Sequence, residues 1–303
     1  MTTAPQAAVS RLLNAWPAIA TAQHCSLARV PFFVLDDHLP LRTGSVARHH
    51  LDALARWPEA LRVDEHSVTL TLPAAERSAF FTQANAQLRE LGLITAWRDE
   101  TYPVMSLATA PGSRHRASRL LATFERAASR FWGTLTFGAH CNGFVADAQG
   151  RPAQLWIARR SLTKATDPGL LDNLIGGGVP HGQTPAEALL REAWEEAGLR
   201  PEQLRGLQPG RLARVARDIP EGFQLEELSV YDLALPMGLI PSNRDGEVHS
   251  FVLLPVSEAL ALAASTAMTV DASLATLDFA LRHRLLPSAQ LELLEAAAAE
   301  LWV

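Results

Sequence analysis

Residues 176–199 read GGGVPHGQTPAEALLREAWEEAGL: a glycine-rich loop, a helical run and a glycine stop. Thr184 stands where an N-cap belongs, with Pro185 at N1 and Glu187 at N3, and Gly198 follows the run as a C′ glycine. The spacing therefore predicts one helix from about Pro185 to Ala197, fixed at both ends. Glu192, Glu195 and Glu196 fall at i, i+3 and i+4, which puts three carboxylates on one face within a turn. Like charges so placed repel, and the helix gains from them only when a cation neutralises them. Hard oxygen donors of this kind suit Mg²⁺ or Mn²⁺, which commonly join a few carboxylates to substrate phosphates. Arg191 reaches Glu195 at i+4 and can hold it in a ligating rotamer. Gly176, Gly177, Gly178 and Gly182 carry no Cβ, so backbone can approach an ion and a diphosphate closely. Glutamate clusters on helices are commonly solvated faces, but the glycine loop before this one and the glycine stop after it favour a metal site.

Outward from this segment the texture is of strands and glycine turns. Extended runs are expected at 133–145, 153–159, 174–178, 212–216, 227–235 and Val248–Pro255, with Ala/Leu-rich helices at about 257–264, 270–284 and 287–301. Upstream, 5–22 has helical spacing interrupted by Pro17, 29–35 is extended, and 45–57 carries helix-spaced apolar positions. Then 66–72 alternates like a strand, while 74–91 and 113–131 have helical periods. The first part is thus a mixed α+β unit without a cofactor fingerprint, repeat or metal-ligand cluster. No Ser/Gly/Pro linker divides the chain, so the boundary is placed near residue 125, with an N-terminal domain at 1–125 and a second at 126–303 packed against it.

Composition limits the function classes. The chain has 303 residues, 48% of them hydrophobic and 19% charged, which suits two domains with their own cores and excludes a largely disordered protein. Cys25 and Cys141 are too few for a disulfide framework or a cysteine-only zinc site and suit a reducing compartment. No run reaches the ~18 apolar residues of a membrane span, and the start lacks the order of a secretory signal, so a soluble cytoplasmic protein is expected. With 27 basic against 32 acidic residues and a net charge of −5, broad nucleic-acid binding is not expected. Any phosphate must be met locally.

The segment resembles the signature of the Nudix hydrolases: Gly, five residues, Glu, seven residues, Arg-Glu, an aliphatic, any residue, Glu-Glu, any residue, Gly, an aliphatic. Laid on this chain it gives Gly177, Gln183, Arg191, Glu192, Ala193, Glu195, Glu196, Gly198 and Leu199. The departures are Gln183 in place of Glu and the small Ala193. The resemblance implies a Nudix α/β/α sandwich with a mixed sheet, preceded by a smaller α+β N-terminal domain. It implies that Glu192, Glu195 and Glu196 bind Mg²⁺ or Mn²⁺, with Gly177 bringing its backbone to the ion and substrate, and that Arg191 orients the carboxylates. Gln183 keeps hydrogen-bonding capacity but offers no charge.

A narrower likeness covers LWIARRSLTKATDPGLLDN at 155–173, FGAHCNGFV at 137–145, YDLALP at 231–236 and NRDGEV at 243–248, and more weakly WRDETYPV at 97–104 and FERAASRFWG at 124–133. These runs are similar to a Nudix subgroup with an extra N-terminal domain, related to the Nudix part of fungal thiamine pyrophosphokinase. Its members are associated with hydrolysis of oxidised forms of thiamine diphosphate. By that likeness the protein is a diphosphate hydrolase giving a monophosphate and inorganic phosphate, with the N-terminal domain selecting the organic group. A nucleoside diphosphate derivative as substrate, an isoprenyl diphosphate isomerase-like activity and a non-catalytic ligand-binding module stay open as alternatives.

Glu247 follows SNRDG and is a candidate fourth metal carboxylate and general base, against the alternative of a strand-edge charge. Glu226 and Glu227 are weaker candidates, expected to be exposed. Lys164, Arg160 and Arg159 can meet a terminal phosphate through charge-assisted hydrogen bonds, Lys164 being favoured because RRSLTK is shared with the subgroup. Asp172 and Asn173 are read as fixing a turn, Cys141 as packing in a strand, and His181 as a solvated loop residue. Trp97, Tyr102, Phe131 and Trp132 are assigned to core rather than to stacking on a heterocycle.

Overall fold

A computed structural model describes residues 16–107 and 117–303. The helical reading of 5–22 falls largely outside the described residues; within them the chain begins with a single turn, α1 (Ala18–Thr21). Strand β1 (Arg29–Asp36) turns at Asp37 and His38, both at positive φ (47° and 68°), into β2 (Leu39–Ala47). Two successive residues of that hand match the right-handed twist of the paired strands, so the hairpin closes in two residues. The strand runs on through Ala47, and the helical reading of 45–57 reduces to a 3₁₀ turn at Arg48–His50 and α2 (Leu51–Leu54). β3 (Leu61–Val63) and β4 (Val68–Leu70) complete a four-stranded sheet in the order β2-β1-β4-β3. The long helix α3 (Ala74–Glu90) buries Phe81, Ala84 and Leu88 on it, and Phe32, Phe81, Phe124 and Trp132 meet as tilted and edge-on rings. Each such side chain contributes roughly 1.5–3 kcal/mol when fully buried.

The period of 113–131 misleads. Among its described residues, β6 (Ala117–Glu125) pairs antiparallel with β5 (Thr101–Leu107), and only α4 (Ala128–Trp132) is helical. Register shifts in this hairpin let Leu121 and Ala122, adjacent in sequence, both be buried. Apolar spacing that suits one helix face is thus met by a bulged strand.

The remainder is a sandwich. Seven strands form a mixed sheet: β7 (Leu135–Ala146), β8 (Pro152–Arg160), β9 (Leu171–Asp172), β10 (Ile175–Gly178), β11 (Gln208–Ile219), β12 (Gly222–Ala234) and β13 (Val248–Pro255). The main order is β11-β12-β7-β8-β13, with β12 parallel to β7, while β10 pairs with β7 and β9 with β8. Alternation along β8 sends Leu155 and Ile157 to one face and Trp156 to the other. The first face, with Phe144, is covered by α6 (Val256–Ala263), α7 (Val270–Arg282) and α8 (Ser288–Ala297). The opposite face, with Ala139 and Cys141, is covered by α5 (Pro185–Ala197), through Ala188, Leu189, Ala193 and Ala197. This is the expected α/β/α arrangement, with the small Ala193 fully buried between helix and sheet. Among the described residues no helix is long and apolar enough to cross a membrane.

Candidate active site

Helix α5 starts and stops as its sequence requires. The Thr184 hydroxyl accepts from the Glu187 N–H at 3.3 Å, and the Glu187 carboxylate accepts from the Thr184 N–H at 2.8 Å. Gly198 ends the helix at φ +64°, where a Cβ would stand 2.7 Å from the Ser242 carbonyl oxygen. With both ends fixed, the acidic face is aimed at β10.

Glu196 is 5% exposed, and its Oε2 accepts from the Gly176 N–H at 3.0 Å. The Lys164 ammonium lies 3.7 Å from Glu196 Oε1 and also pairs with Glu247, tying a loop after β8 and the loop before β13 to the helix. Glu192 fits beneath Gly177. Arg191 spans its two neighbours, with Nη2 2.8 Å from Glu192 Oε1 and Nη1 donating to Glu195 Oε2 at 2.9 Å. Glu195 therefore sits at the rim, while Glu192 and Glu196 point inward. Burial pushes the Glu196 carboxyl up to about 8 against the opposing pull of Lys164. Burial also raises Glu192 and lowers Lys164.

The three glycines of β10 each make room for a different side chain. A Cβ at Gly176 would stand 2.7 Å from the His140 ring, and one at Gly177 would stand 2.4 Å from Glu192 Oε1. One at Gly178 would meet the Tyr102 hydroxyl and would stand 2.9 Å from the Arg126 guanidinium. The sequence reading gave these glycines to backbone approach alone. Their side-chain neighbours come from β7, α5 and the segment before residue 137.

Beyond this face opens a cavity of about 570 Å³, whose lining includes Lys164, Arg160, Gly177, Arg191, Glu192, Glu195 and Glu247. Its far wall is built partly by residues before 125: Thr95, Ala96, Arg98 and Glu100. Arg126 and Arg130 continue that wall, Arg126 paired with Glu100 at 3.1 Å and Arg130 with Glu226 at 3.2 Å.

Several expectations change. Arg160 donates to Asp172 at 2.8 Å and to the Thr166 and Asp167 carbonyls at 2.9 and 3.1 Å, so its guanidinium shapes the loop that carries Lys164. Gln183 is not among the lining residues of the main cavity; beyond the Gly182 turn (φ +86°) it lines a separate apolar hollow with Met105, Phe137 and Val179. Glu226 and Glu227 are buried rather than exposed, held by Arg130 and by Arg214 at 2.5 Å. Asp172 and Asn173 are no surface turn. Asp172 ends β9 against Arg160, and the buried Asn173 amide donates through Nδ2 to Asn142 and Thr276 and accepts through Oδ1 from His140 Nδ1 at 2.9 Å. Cys141 is buried in β7 as expected, and burial pushes its thiol well up, away from reactivity. Sequence reasoning did not find Arg98 and Arg126 as cavity residues, and it named Glu226 only as a weaker candidate expected to be exposed. The signal was the charged residues inside WRDETYPV and FERAASRFWG, whose partners lie far along the chain.

The donor chemistry fits a hard divalent cation: carboxylate oxygens of Glu192, Glu196 and Glu247, with a glycine where a Cβ would strike Glu192. Among the described residues no three His, Cys, Asp or Glu side chains already converge as a closed ion cage. Mg²⁺ asks for less, taking one or two carboxylates together with phosphate oxygens and waters.

Residues 137–273 match the family model described as NUDIX domain, and residues 11–136 match one described as a domain of unknown function, DUF4743. The NUDIX match is thus preceded by a separate N-terminal one. Nudix hydrolase 20, chloroplastic, of Arabidopsis thaliana is 38% identical over 199 residues, covering 65% of this chain and 50% of the relative. Nudix hydrolase 24, chloroplastic, of the same plant is 38% identical over 197 residues, covering 64% and 51%. The chain spans about half the length of these curated relatives. A Deinococcus radiodurans crystal structure is similar at 24% identity and TM-score 0.42, covering 59% of this chain and 99% of that one.

Proposed function

We propose that the NUDIX domain at residues 137–273 is the working part of a divalent-cation-dependent hydrolase that cleaves organic diphosphates to a monophosphate and inorganic phosphate. The observation that carries this reading is that Lys164 bridges Glu196 and Glu247 while Glu192 packs against Gly177, at one end of a cavity large enough for a diphosphate ester. Glu192 and Glu196, with Glu247 and the rim carboxylate Glu195, would hold Mg²⁺ or Mn²⁺ beside the Gly177 backbone. Such an ion, when bound, offsets charge on phosphoryl oxygens and lowers the pKa of an attacking water.

The chain's own groups do the rest. Arg191 holds Glu192 and Glu195 in place, and Lys164 brings a buried ammonium to the carboxylates where a phosphate can share it. The general base is one carboxylate of this set, and Glu247, the most solvent-accessible of the residues in contact with Lys164, is suited to pass the proton to water. Arg160 positions the Lys164 loop. Thiamine diphosphate or an oxidised analogue is the proposed substrate, supported by the likeness of residues 137–145, 155–173, 231–236 and 243–248 to the thiamine-related subgroup. Both cysteines are free thiols, in keeping with a reducing, cytoplasmic setting.

Phosphate release from thiamine diphosphate, oxidised thiamine diphosphate and nucleoside diphosphate derivatives, with and without Mg²⁺, tests the reading. Cation-dependent turnover with preference for the thiamine compounds is expected. Preference for nucleotides would remove the substrate assignment, and no turnover of any member would remove the hydrolase.

A further inference from the structure

The segment at 95–100 reaches the cavity from outside the NUDIX match, and the reaction outlined above gives it no role. Its backbone is unusual. Ala96 and Asp99, neither of them glycine, stand at φ +57° and +60°, conformations that cost on the order of 1–3 kcal/mol each and persist only where surrounding structure enforces them. The enforcement is visible. Trp97 Nε1 donates to Asp99 Oδ1 at 2.9 Å, the Arg89 guanidinium covers the Trp97 ring at 4.7 Å, and the Arg126 N–H donates to the Glu100 carbonyl at 2.9 Å. The Arg98 N–H is fixed by Glu125 Oε1 at 2.8 Å. A turn strained at two points and pinned at four therefore presents Arg98 to the cavity, beside Thr95, Ala96 and the Arg126-paired Glu100.

Other cations lining that cavity are committed. Arg126 pairs with Glu100, Arg130 with Glu226, Arg160 with Asp172, Arg191 with Glu192 and Glu195, and Lys164 with Glu247, while Arg217 donates to the Gln224 amide oxygen at 2.8 Å. The Arg98 guanidinium has no hydrogen bond and no carboxylate within ion-pair distance among the described residues. Burial, and then the Arg126 charge, disfavour its cationic form, with Arg160 adding to the repulsion and Glu100 and Glu125 opposing it. Arg98 lines the same cavity as Lys164, Glu192 and Glu247. A half-buried guanidinium with no carboxylate paired to it among the described residues, held rigidly beside a second cation, is a phosphate receptor in its chemistry: the planar fork offers two parallel N–H donors to adjacent phosphate oxygens.

We propose that Arg98 is a specificity-determining residue whose guanidinium receives the free terminal phosphate of the substrate, so that the cavity selects organic diphosphates ending in a bare phosphate over diphosphates substituted at both ends. This rests on the hydrolase reading and narrows it. A terminal phosphoryl group presents three non-bridging oxygens and up to two negative charges, whereas an internal one presents two oxygens and a single charge. The former can satisfy a bidentate guanidinium and leave a further oxygen uncommitted for Lys164, and its second charge strengthens both contacts. The N-terminal domain then selects through the end of the diphosphate as well as through the organic group.

Calorimetry of inorganic pyrophosphate with Mg²⁺ on the full chain, compared across wild type, Arg98→Ala and Arg98→Lys, reads the site without turnover. Arg98→Ala is expected to weaken pyrophosphate binding roughly ten- to a hundredfold, the range of charge-assisted hydrogen bonds, with partial recovery in Arg98→Lys. In steady-state assays the alanine variant is expected to raise KM for terminal diphosphates by a similar factor. Its kcat should stay within about threefold, and turnover of doubly substituted diphosphates should be unaffected. Unchanged pyrophosphate binding in Arg98→Ala, no binding by wild type, or an equal loss on both substrate classes would overturn the proposal. Arg98-dependent pyrophosphate binding without hydrolysis of any diphosphate would leave the phosphate site standing and remove the hydrolase.

Discussion

Gly177 and Glu192 occupy one another's space: a Cβ built on the glycine would stand 2.4 Å from Glu192 Oε1 and 2.6 Å from its carboxyl carbon. The strand and the acidic helix therefore approach as closely as they do because one residue has no side chain. Gly177 is in ordinary backbone territory, so its replacement acts through this contact alone.

Gly177→Ala is accordingly expected to displace Glu192 while leaving the fold intact. A loss of at least tenfold in kcat/KM and a higher Mg²⁺ requirement are the expected readouts, with an unchanged circular dichroism spectrum. Wild-type kinetics in this variant would show that Glu192 has room to spare.

Thr184→Ala removes the hydroxyl half of the capping box on α5. The cost should be on the order of 1 kcal/mol, a fall of roughly 2–4 °C in Tm for a chain of this size. Thr184 does not line the main cavity, so kcat is expected to stay close to wild type. A scanning calorimetry trace beside an activity assay distinguishes this stability effect from one on catalysis.

Gln183→Glu restores the acid that the motif has at this position. Gln183 lines the separate hollow beside Met105 and Phe137, so the restored charge is expected to change the rate by less than about threefold. A large gain would mean that the loop swings its side chain into the cavity during turnover.

What the sequence revealed, and what it concealed, divides by the range of the interactions. The helix at Pro185–Ala197 was legible because every determinant is local: Thr184 and Glu187 cap it, Gly198 stops it, and Arg191 pairs with Glu195 four residues on. The α/β/α sandwich followed from that segment together with strands such as Val248–Pro255. β6 was not legible. Its apolar residues match a helical period until pairing with β5, decided by residues some twenty positions away, claims its backbone. Burial of Glu226 depends on Arg130, and the use of Gly178 depends on Tyr102 and Arg126; neither partner is near in sequence. The carboxylate set could be read, and the wall facing it could not.

Glu196→Gln bears most directly on the metal-dependent hydrolysis, because Glu196 is the buried carboxylate that joins α5, β10 and Lys164. The decisive measurement is phosphate release from an organic diphosphate by wild type and Glu196→Gln over a Mg²⁺ titration, with circular dichroism on both proteins. Wild-type turnover that disappears on chelation and returns with Mg²⁺, together with a loss of at least a hundredfold in a folded Glu196→Gln, is expected. Near-normal rates in that variant, or turnover indifferent to chelation, would contradict the assignment of this face as the catalytic metal site.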